Sequence, residues 1–191
     1  MKKARIAIFA SGNGTNAESI MQYFQGHTDI EVSLLLSNNA EALALKRATD
    51  HHVSTFVFNR EEFKEGISIL AALQENNITH LVLAGFLWLI PPYLLTTYRD
   101  KIINIHPALL PKHGGKGMYG IKVHEAVKLS GDTETGITIH MVDEEYDKGK
   151  VLFQASCGVE KDYSAAQIAE CVHSLEHKHY PEVIERWVLG L

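Results

Sequence analysis

Cysteine is nearly absent: Cys157 and Cys171 are two residues in 191, too few for a disulfide framework, and a reducing, cytoplasmic setting is the default. Proline is also scarce, at five residues, and no proline-, glycine- or serine-rich stretch divides the chain. Repeats and low-complexity tracts are missing, which removes solenoids and disordered tails. The longest apolar stretch, Leu81 to Tyr93, is broken by glycine and prolines and is well short of the ~18 residues of a membrane span. The basic start, Met1 to Arg5, leads into an apolar run too short for a signal peptide and is expected to enter a first strand. An excess of positive charge is missing as well. Lys and Arg number 18 against 23 Asp and Glu, a net charge of −5, which argues against a nucleic-acid binder.

What remains is ordinary globular composition. With 46% hydrophobic and 21% charged residues the chain is not disordered, and at this length it buries about 70% of its unfolded surface. A single domain over 1–191 is expected.

Short apolar runs alternate with amphipathic ones, the signature of an α/β fold. Strands are expected at Ala4–Ala10, Ile30–Leu36, Ser54–Phe58, His80–Gly85 and Lys101–Ile105. Helices are expected between them at Thr15–Gln25, Glu41–His51 and Arg60–Asn76, with a short one opened by Pro91-Pro92. Beyond His106 the rhythm changes. A glycine-rich loop reaches Gly120, a helix spans Ile121–Leu129, and strands at Thr135–Val142 and Lys150–Cys157 are joined too briefly to be parallel. A helix closes the chain over Ser164–Leu189, with a break possible at Pro181. The expected architecture is a Rossmann-like parallel βαβ half continuing into a mixed sheet with antiparallel strands, helices on both faces.

Three loops carry chemistry. Ser11-Gly12-Asn13-Gly14-Thr15-Asn16 follows the first strand and opens a helix, where free N–H groups and the positive helix end suit a phosphate. It lacks the Lys-Ser/Thr of a Walker loop. Gly12, Gly14 and Ala17 fit the dinucleotide fingerprint, but the second strand ends in Ser37-Asn38-Asn39, without the acid that holds a ribose. In Asn104-Ile105-His106-Pro107, alternation puts Asn104 and His106 on one face at the carboxyl end of a strand, and Pro107 keeps His106 extended. An amide and an imidazole side by side can stabilise oxygen charge in acyl transfer and move a proton. The acidic loop Asp143 to Gly149 lacks calcium-ligand spacing. Any of Asp143, Glu144, Glu145 and Asp147 can serve the imidazole. His173 and His177 share a helix face, but Glu176 does not reproduce the H-E-x-x-H metal motif, and a partly exposed helix face is the default.

Together these loops resemble the phosphoribosylglycinamide formyltransferase family. The resemblance rests on Ala10 to Asn16, Leu83-Ala84-Gly85-Phe86, Ile103 to Pro111, Glu134 to His140 and Asp147-x-Gly149, and it runs from about Arg5 to Trp187. It implies the formyltransferase fold, with 1–100 as a nucleotide-binding-like half and 101–191 as a catalytic and folate half. It implies formyl transfer from 10-formyltetrahydrofolate, a co-substrate, to the amine of glycinamide ribonucleotide in purine synthesis, with no metal, nucleic acid or membrane partner. Carried over by motif, Asn104, His106 and Asp147 are the catalytic trio. Gly12, Asn13, Gly14, Thr15 and Asn16 hold the substrate phosphate, with Glu176 on the ribose and His173 as a further polar contact. Arg60, Leu87, Trp88, Leu89, Ile90, Asn104, His140 and Asp143 serve the folate. In that scheme Asn104 and a protonated His106 donate to the developing oxyanion, and Asp147 favours the imidazolium and positions a water.

Two positions depart from the family pattern. Trp88 stands where a basic residue is common, and Lys112–Gly120 is richer in glycine than the usual form, in keeping with a mobile lid. Rival functions are 10-formyltetrahydrofolate hydrolysis and a non-catalytic nucleotide or folate module. The trio argues against the module. Formylation of methionyl-tRNA needs a basic surface that is missing.

Overall fold

The computed structural model describes residues 3–191, so expectations resting on Met1 and Lys2 lie outside the described residues. Seven strands form one sheet among these residues: β1 (Ala4–Phe9), β2 (Ile30–Ser37), β3 (Ser54–Val57), β4 (His80–Leu83), β5 (Ile102–His106), β6 (Glu134–Met141) and β7 (Val151–Gly158). Their order is β3-β2-β1-β4-β5-β6-β7. The first five are mutually parallel, whereas β6 runs antiparallel to both β5 and β7. The direction changes at β5–β6, whose connection carries a helix, and the short loop from Met141 to Val151 keeps β7 antiparallel to β6. Helices carry the chain back across the parallel half, and the brief β6–β7 loop can only turn it around.

Alternation along β1 decides which layer each residue serves. Ile6 and Ile8 face a core built with α1 (Thr15–Tyr23), α2 (Leu43–Asp50) and α7 (Ala165–Leu189). Ala7 and Phe9 face the opposite core, with α3 (Arg60–Glu65), α4 (Ile67–Glu75) and α5 (Pro92–Thr97). From Ile6 on, both sides of the strand are dry, so its sequence there reads as a continuous apolar run. Each fully buried isoleucine there stabilises the fold by roughly 2 kcal/mol. The remaining helix, α6 (Ile121–Ser130), packs on α7.

Two helices differ from the pattern read in the sequence. The long helix expected over 60–76 is two helices, because Gly66 takes φ +81°, ends α3 and starts α4. The Tyr93 ring lies 2.7–2.9 Å from where a Cβ would stand at Gly66, so a side chain is excluded there. The closing helix, by contrast, does not break at Pro181. A proline cannot donate to the carbonyl four residues back, which here is that of His177. Ser19 Oγ on α1 donates to that carbonyl at 3.2 Å and replaces the missing partner. Tyr180 beside it is fully buried and donates its hydroxyl to the Leu83 carbonyl at 2.8 Å, pinning α7 to the end of β4.

The two cysteines come together in the fold. Cys157 on β7 and Cys171 on α7 face each other, with Cα atoms 6.7 Å apart. The packing of α7 across the sheet makes this pair, which a separation of 14 residues in sequence does not announce. No helix among the described residues is long and apolar enough to cross a membrane.

Candidate active site

The chain leaves β1 for β2 and β3 on one side, and β4 and β5 lie on the other. This reversal opens a crevice at the carboxyl ends of β1 and β4, where ligands of open α/β sheets bind. The two loops that leave those ends are tied together. Ser11 N–H donates to the Gly85 carbonyl at 3.1 Å, and Leu87 N–H donates to Ser11 Oγ at 3.2 Å. A cavity of about 620 Å³ runs along this edge, lined by both loops, β5, the 115–120 loop, the acidic loop and α7.

At one end lies the turn Gly12 to Asn16. Gly14 is the N-cap of α1 in the left-handed conformation, φ 76°, and no side chain caps the helix. A Cβ on Gly14 would lie 2.5 Å from Ala44 Cβ, so only glycine lets α2 approach. Arg47 donates to the Asn13 carbonyl at 2.9 Å and pairs with Glu18, which keeps the one acid of the first turn occupied. The result is a rigid turn with free N–H groups at a positive helix end.

Across the cavity, α7 presents His173 and Glu176. Glu176 is only 5% exposed, and Asn16 Nδ2 donates to its Oε2 at 3.0 Å. Burial raises the carboxyl above its usual range, against the opposing pull of Asn16 and His173. Asn16 Oδ1 is buried without a partner. His173 and His177 are exposed on the helix face, with ring centres 6.3 Å apart.

The central group is Asn104, His106, His140 and Asp147, all lining the cavity. Asp147 bridges two imidazoles, 3.5 Å from His106 Nδ1 and 3.5 Å from His140 Nε2. It takes φ 57°, a conformation Asp tolerates better than most residues, and Gly115 N–H donates to its Oδ2 at 2.8 Å. Burial pushes its carboxyl up, but His140, His106 and the Gly115 N–H outweigh that and hold it below the usual range. Asn104 Nδ2 lies 3.2 Å from His140 Nε2, and His140 Nδ1 donates to the Met141 carbonyl at 2.8 Å. A register shift falls between Ile139 and His140, where β6 meets β7.

His106 is 3% exposed, and its Nε2 donates to the His113 carbonyl at 2.8 Å. Burial lowers its pKa below 6.5, with Asp147 and the His113 carbonyl offsetting part of that. Burial thus favours the neutral ring, while Asp147 and the His113 carbonyl favour the imidazolium that the sequence scheme invokes.

The far end is aromatic. Trp88 meets Phe58, Phe63 and Phe86, and the Arg60 guanidinium lies 4.8 Å from the Trp88 ring centre. Leu87, Leu89 and Ile90 complete this wall.

One expected residue is not part of the cavity. Asp143 turns back on its own loop, where its Oδ1 accepts from Glu145 N–H at 3.0 Å. This local turn satisfies the carboxylate and leaves Glu145, Tyr146 and Asp147 to line the space. His124 was not singled out in the sequence, yet it lines the cavity, is buried, and has an Nδ1 without a partner. Burial, with the charges of His173 and His106, lowers its pKa to about 4. Its helical spacing looks like that of any core position, so no local signal marks it.

The chain matches the formyl transferase family over residues 4–184. It is 38% identical to a chloroplastic phosphoribosylglycinamide formyltransferase of Arabidopsis thaliana over 96% of this chain, and spans 65% of that longer protein. It is 35% identical to phosphoribosylglycinamide formyltransferase of Bacillus subtilis, covering 100% of this chain and 96% of that one. The crystal structure of phosphoribosylglycinamide formyltransferase from Bacillus halodurans superposes with a TM-score of 0.86 at 33% identity, covering 95% of this chain and 94% of the other. The match over nearly the whole chain, together with the shared fold, means that the chain belongs to the formyl transferase family.

Proposed function

We propose that the chain transfers a formyl group from 10-formyltetrahydrofolate to the primary amine of glycinamide ribonucleotide, giving formylglycinamide ribonucleotide and tetrahydrofolate in purine synthesis. The observation that carries this is the meeting of Asn104, His106, His140 and Asp147 in one cavity with the Gly12–Asn16 turn at one end and an aromatic wall at the other. An anionic ribonucleotide and a flat folate fit those two ends. The relatives named above bear the matching name. Both substrates are small and water-soluble, which suits a cytoplasmic setting, and the chain over 1–191 works as one unit because residues as far apart as Asn16 and Glu176 meet in the site.

The phosphate sits on the Gly12–Asn16 turn, held by main-chain N–H groups and the helix end. Asn16, His173 and Glu176 hold the ribose. Arg60, Leu87, Trp88, Leu89 and Ile90 hold the folate rings, with His140 behind Asn104. The amine nitrogen attacks the formyl carbon, and a C–N bond forms as negative charge gathers on the formyl oxygen. The Asn104 amide donates to that oxygen. His106, in its neutral form, takes the proton from the attacking nitrogen and passes it to N10 of the folate as the bond from N10 to the formyl carbon breaks. Asp147 stabilises the transient imidazolium. The scheme needs no metal and no covalent bond to the protein.

The test is a spectrophotometric assay of deformylation of a 10-formyl folate analogue, with and without glycinamide ribonucleotide. Ribonucleotide-dependent release is expected. Release with water alone identifies a hydrolase, and no release from folded protein overturns the proposal.

A further inference from the structure

We propose that His113 and Asp132 are positioning residues for His106, acting through the His113 main-chain carbonyl to set which nitrogen of the His106 ring carries the mobile proton.

The contacts form a chain that starts outside the cavity. Asp132 follows Gly131, whose left-handed turn ends α6. Its Oδ1 accepts from Lys112 Nζ at 2.9 Å and its Oδ2 lies 2.8 Å from His113 Nε2. These contacts hold Asp132 ionised, below the usual carboxylate range. His113 has φ 53°, a left-handed conformation that is strained outside glycine and persists where surroundings impose it. The ring contact with Asp132 supplies that constraint. In this conformation the His113 carbonyl points at His106 Nε2, 2.8 Å away. Two residues on, the same turn sends Gly115 N–H to Asp147 Oδ2 at 2.8 Å. One turn therefore grips both His106 and its carboxylate. Neither His113 nor Asp132 lines the cavity, so neither is placed to touch substrate.

The chemical consequence follows from the carbonyl, which can only accept. Nε2 must carry hydrogen whether the ring is neutral or charged. The nitrogen that gains and loses a proton is Nδ1, which faces Asp147 Oδ2 at 3.5 Å. Without the His113 carbonyl, that carboxylate would draw the hydrogen of the neutral ring onto Nδ1. A ring in that form has no free lone pair toward the attacking amine. The His113 turn thus keeps the neutral ring a base on its cavity side. The kinetic part of this proposal rests on formyl transfer as the reaction; the tautomer does not.

The test reads the ring directly. Long-range nitrogen–proton spectra of the uniformly labelled full chain at about pH 8, where histidine is neutral, distinguish the tautomers. The His106 signal is identified by its loss in His106→Gln. Wild type is expected to show Nε2–H and bare Nδ1. Asp132→Ala is expected to shift His106 toward the Nδ1–H form and to lower kcat about tenfold, with KM for the ribonucleotide little changed. Asp132→Asn keeps an acceptor for the His113 ring and is expected to retain the wild-type tautomer. A wild-type His106 carrying hydrogen on Nδ1, or an Asp132→Ala variant with an unchanged tautomer, overturns the proposal. If the tautomer shifts but no formyl transfer is seen, the reaction assignment fails and the positioning role stands.

Discussion

Asn16 and Glu176 lie 160 residues apart in sequence and meet at 3.0 Å, joining the first turn of α1 to the middle of α7. The carboxylate is buried, and the amide uses its nitrogen on it while its oxygen is buried without a partner. A ribose hydroxyl can donate its one hydrogen to the Glu176 carboxylate. Loss of a hydrogen bond to a charged group costs about 1.5–3 kcal/mol. Glu176→Gln is therefore expected to raise KM for the ribonucleotide about tenfold or more, with kcat changed less. Steady-state kinetics at saturating folate decide it.

His106→Ala is expected to lower kcat/KM by about a hundredfold to ten-thousandfold, the usual worth of a positioned acid–base group. The pH profile adds a sign. Burial lowers the His106 pKa, so the ring accepts a proton at neutral pH and activity falls as acid protonates it, below 6.5. Asp147 opposes that lowering. Asp147→Asn is expected both to slow turnover and to move the acid limb to still lower pH. A limb that moves toward neutral pH contradicts this electrostatic coupling.

Gly14→Ala forces a left-handed alanine against Ala44 Cβ, 2.5 Å from the new atom. The turn must shift, at a cost of about 1–3 kcal/mol. Urea unfolding is expected to show that loss, and KM for the ribonucleotide is expected to rise because the N–H groups no longer converge.

Trp88 and Trp187 are the two tryptophans, and Trp187 lies away from the cavity, against His80. Folate binding is expected to change tryptophan emission in wild type and in Trp187→Phe, but not in Trp88→Phe. Trp88→Ala is expected to raise KM for folate about tenfold, the scale of a lost aromatic contact, and to leave KM for the ribonucleotide alone.

His80 predicts an acid limit to stability. Burial, with help from Lys101, lowers its pKa from 6.5 to about 4. The unfolded chain binds the proton more tightly, so this stability is present above 6.5 and is lost as pH falls toward 4. Thermal melting between those limits is expected to show a falling midpoint, with a shallower slope in His80→Phe.

Local rules made much of the parallel half legible. Alternating apolar runs placed β1 to β5, and the Gly12–Asn16 turn was recognisable because glycines at a strand-to-helix junction have few other uses. Asn104 and His106 were paired correctly because a strand puts alternate residues on one face. Among the four acids of the 143–147 loop, spacing alone did not choose. Asp147 lines the cavity because it takes a left-handed turn and receives the Gly115 N–H, whereas Asp143 spends its carboxylate on the Glu145 N–H.

Composition and periodicity are properties of neighbouring residues, so an α/β class, a glycine turn and an extended Asn104-x-His106 pair could be read from order alone. Contacts between distant segments obey no such rule. Only folding decides that Ser19 completes the carbonyl freed by Pro181, that Cys157 meets Cys171, that His124 reaches the cavity wall with a buried, unpartnered Nδ1, and that the His113 carbonyl closes on His106. Each of these depends on where α7 and the 113–120 loop pack against the sheet, which is set by the whole core rather than by any short stretch of chain.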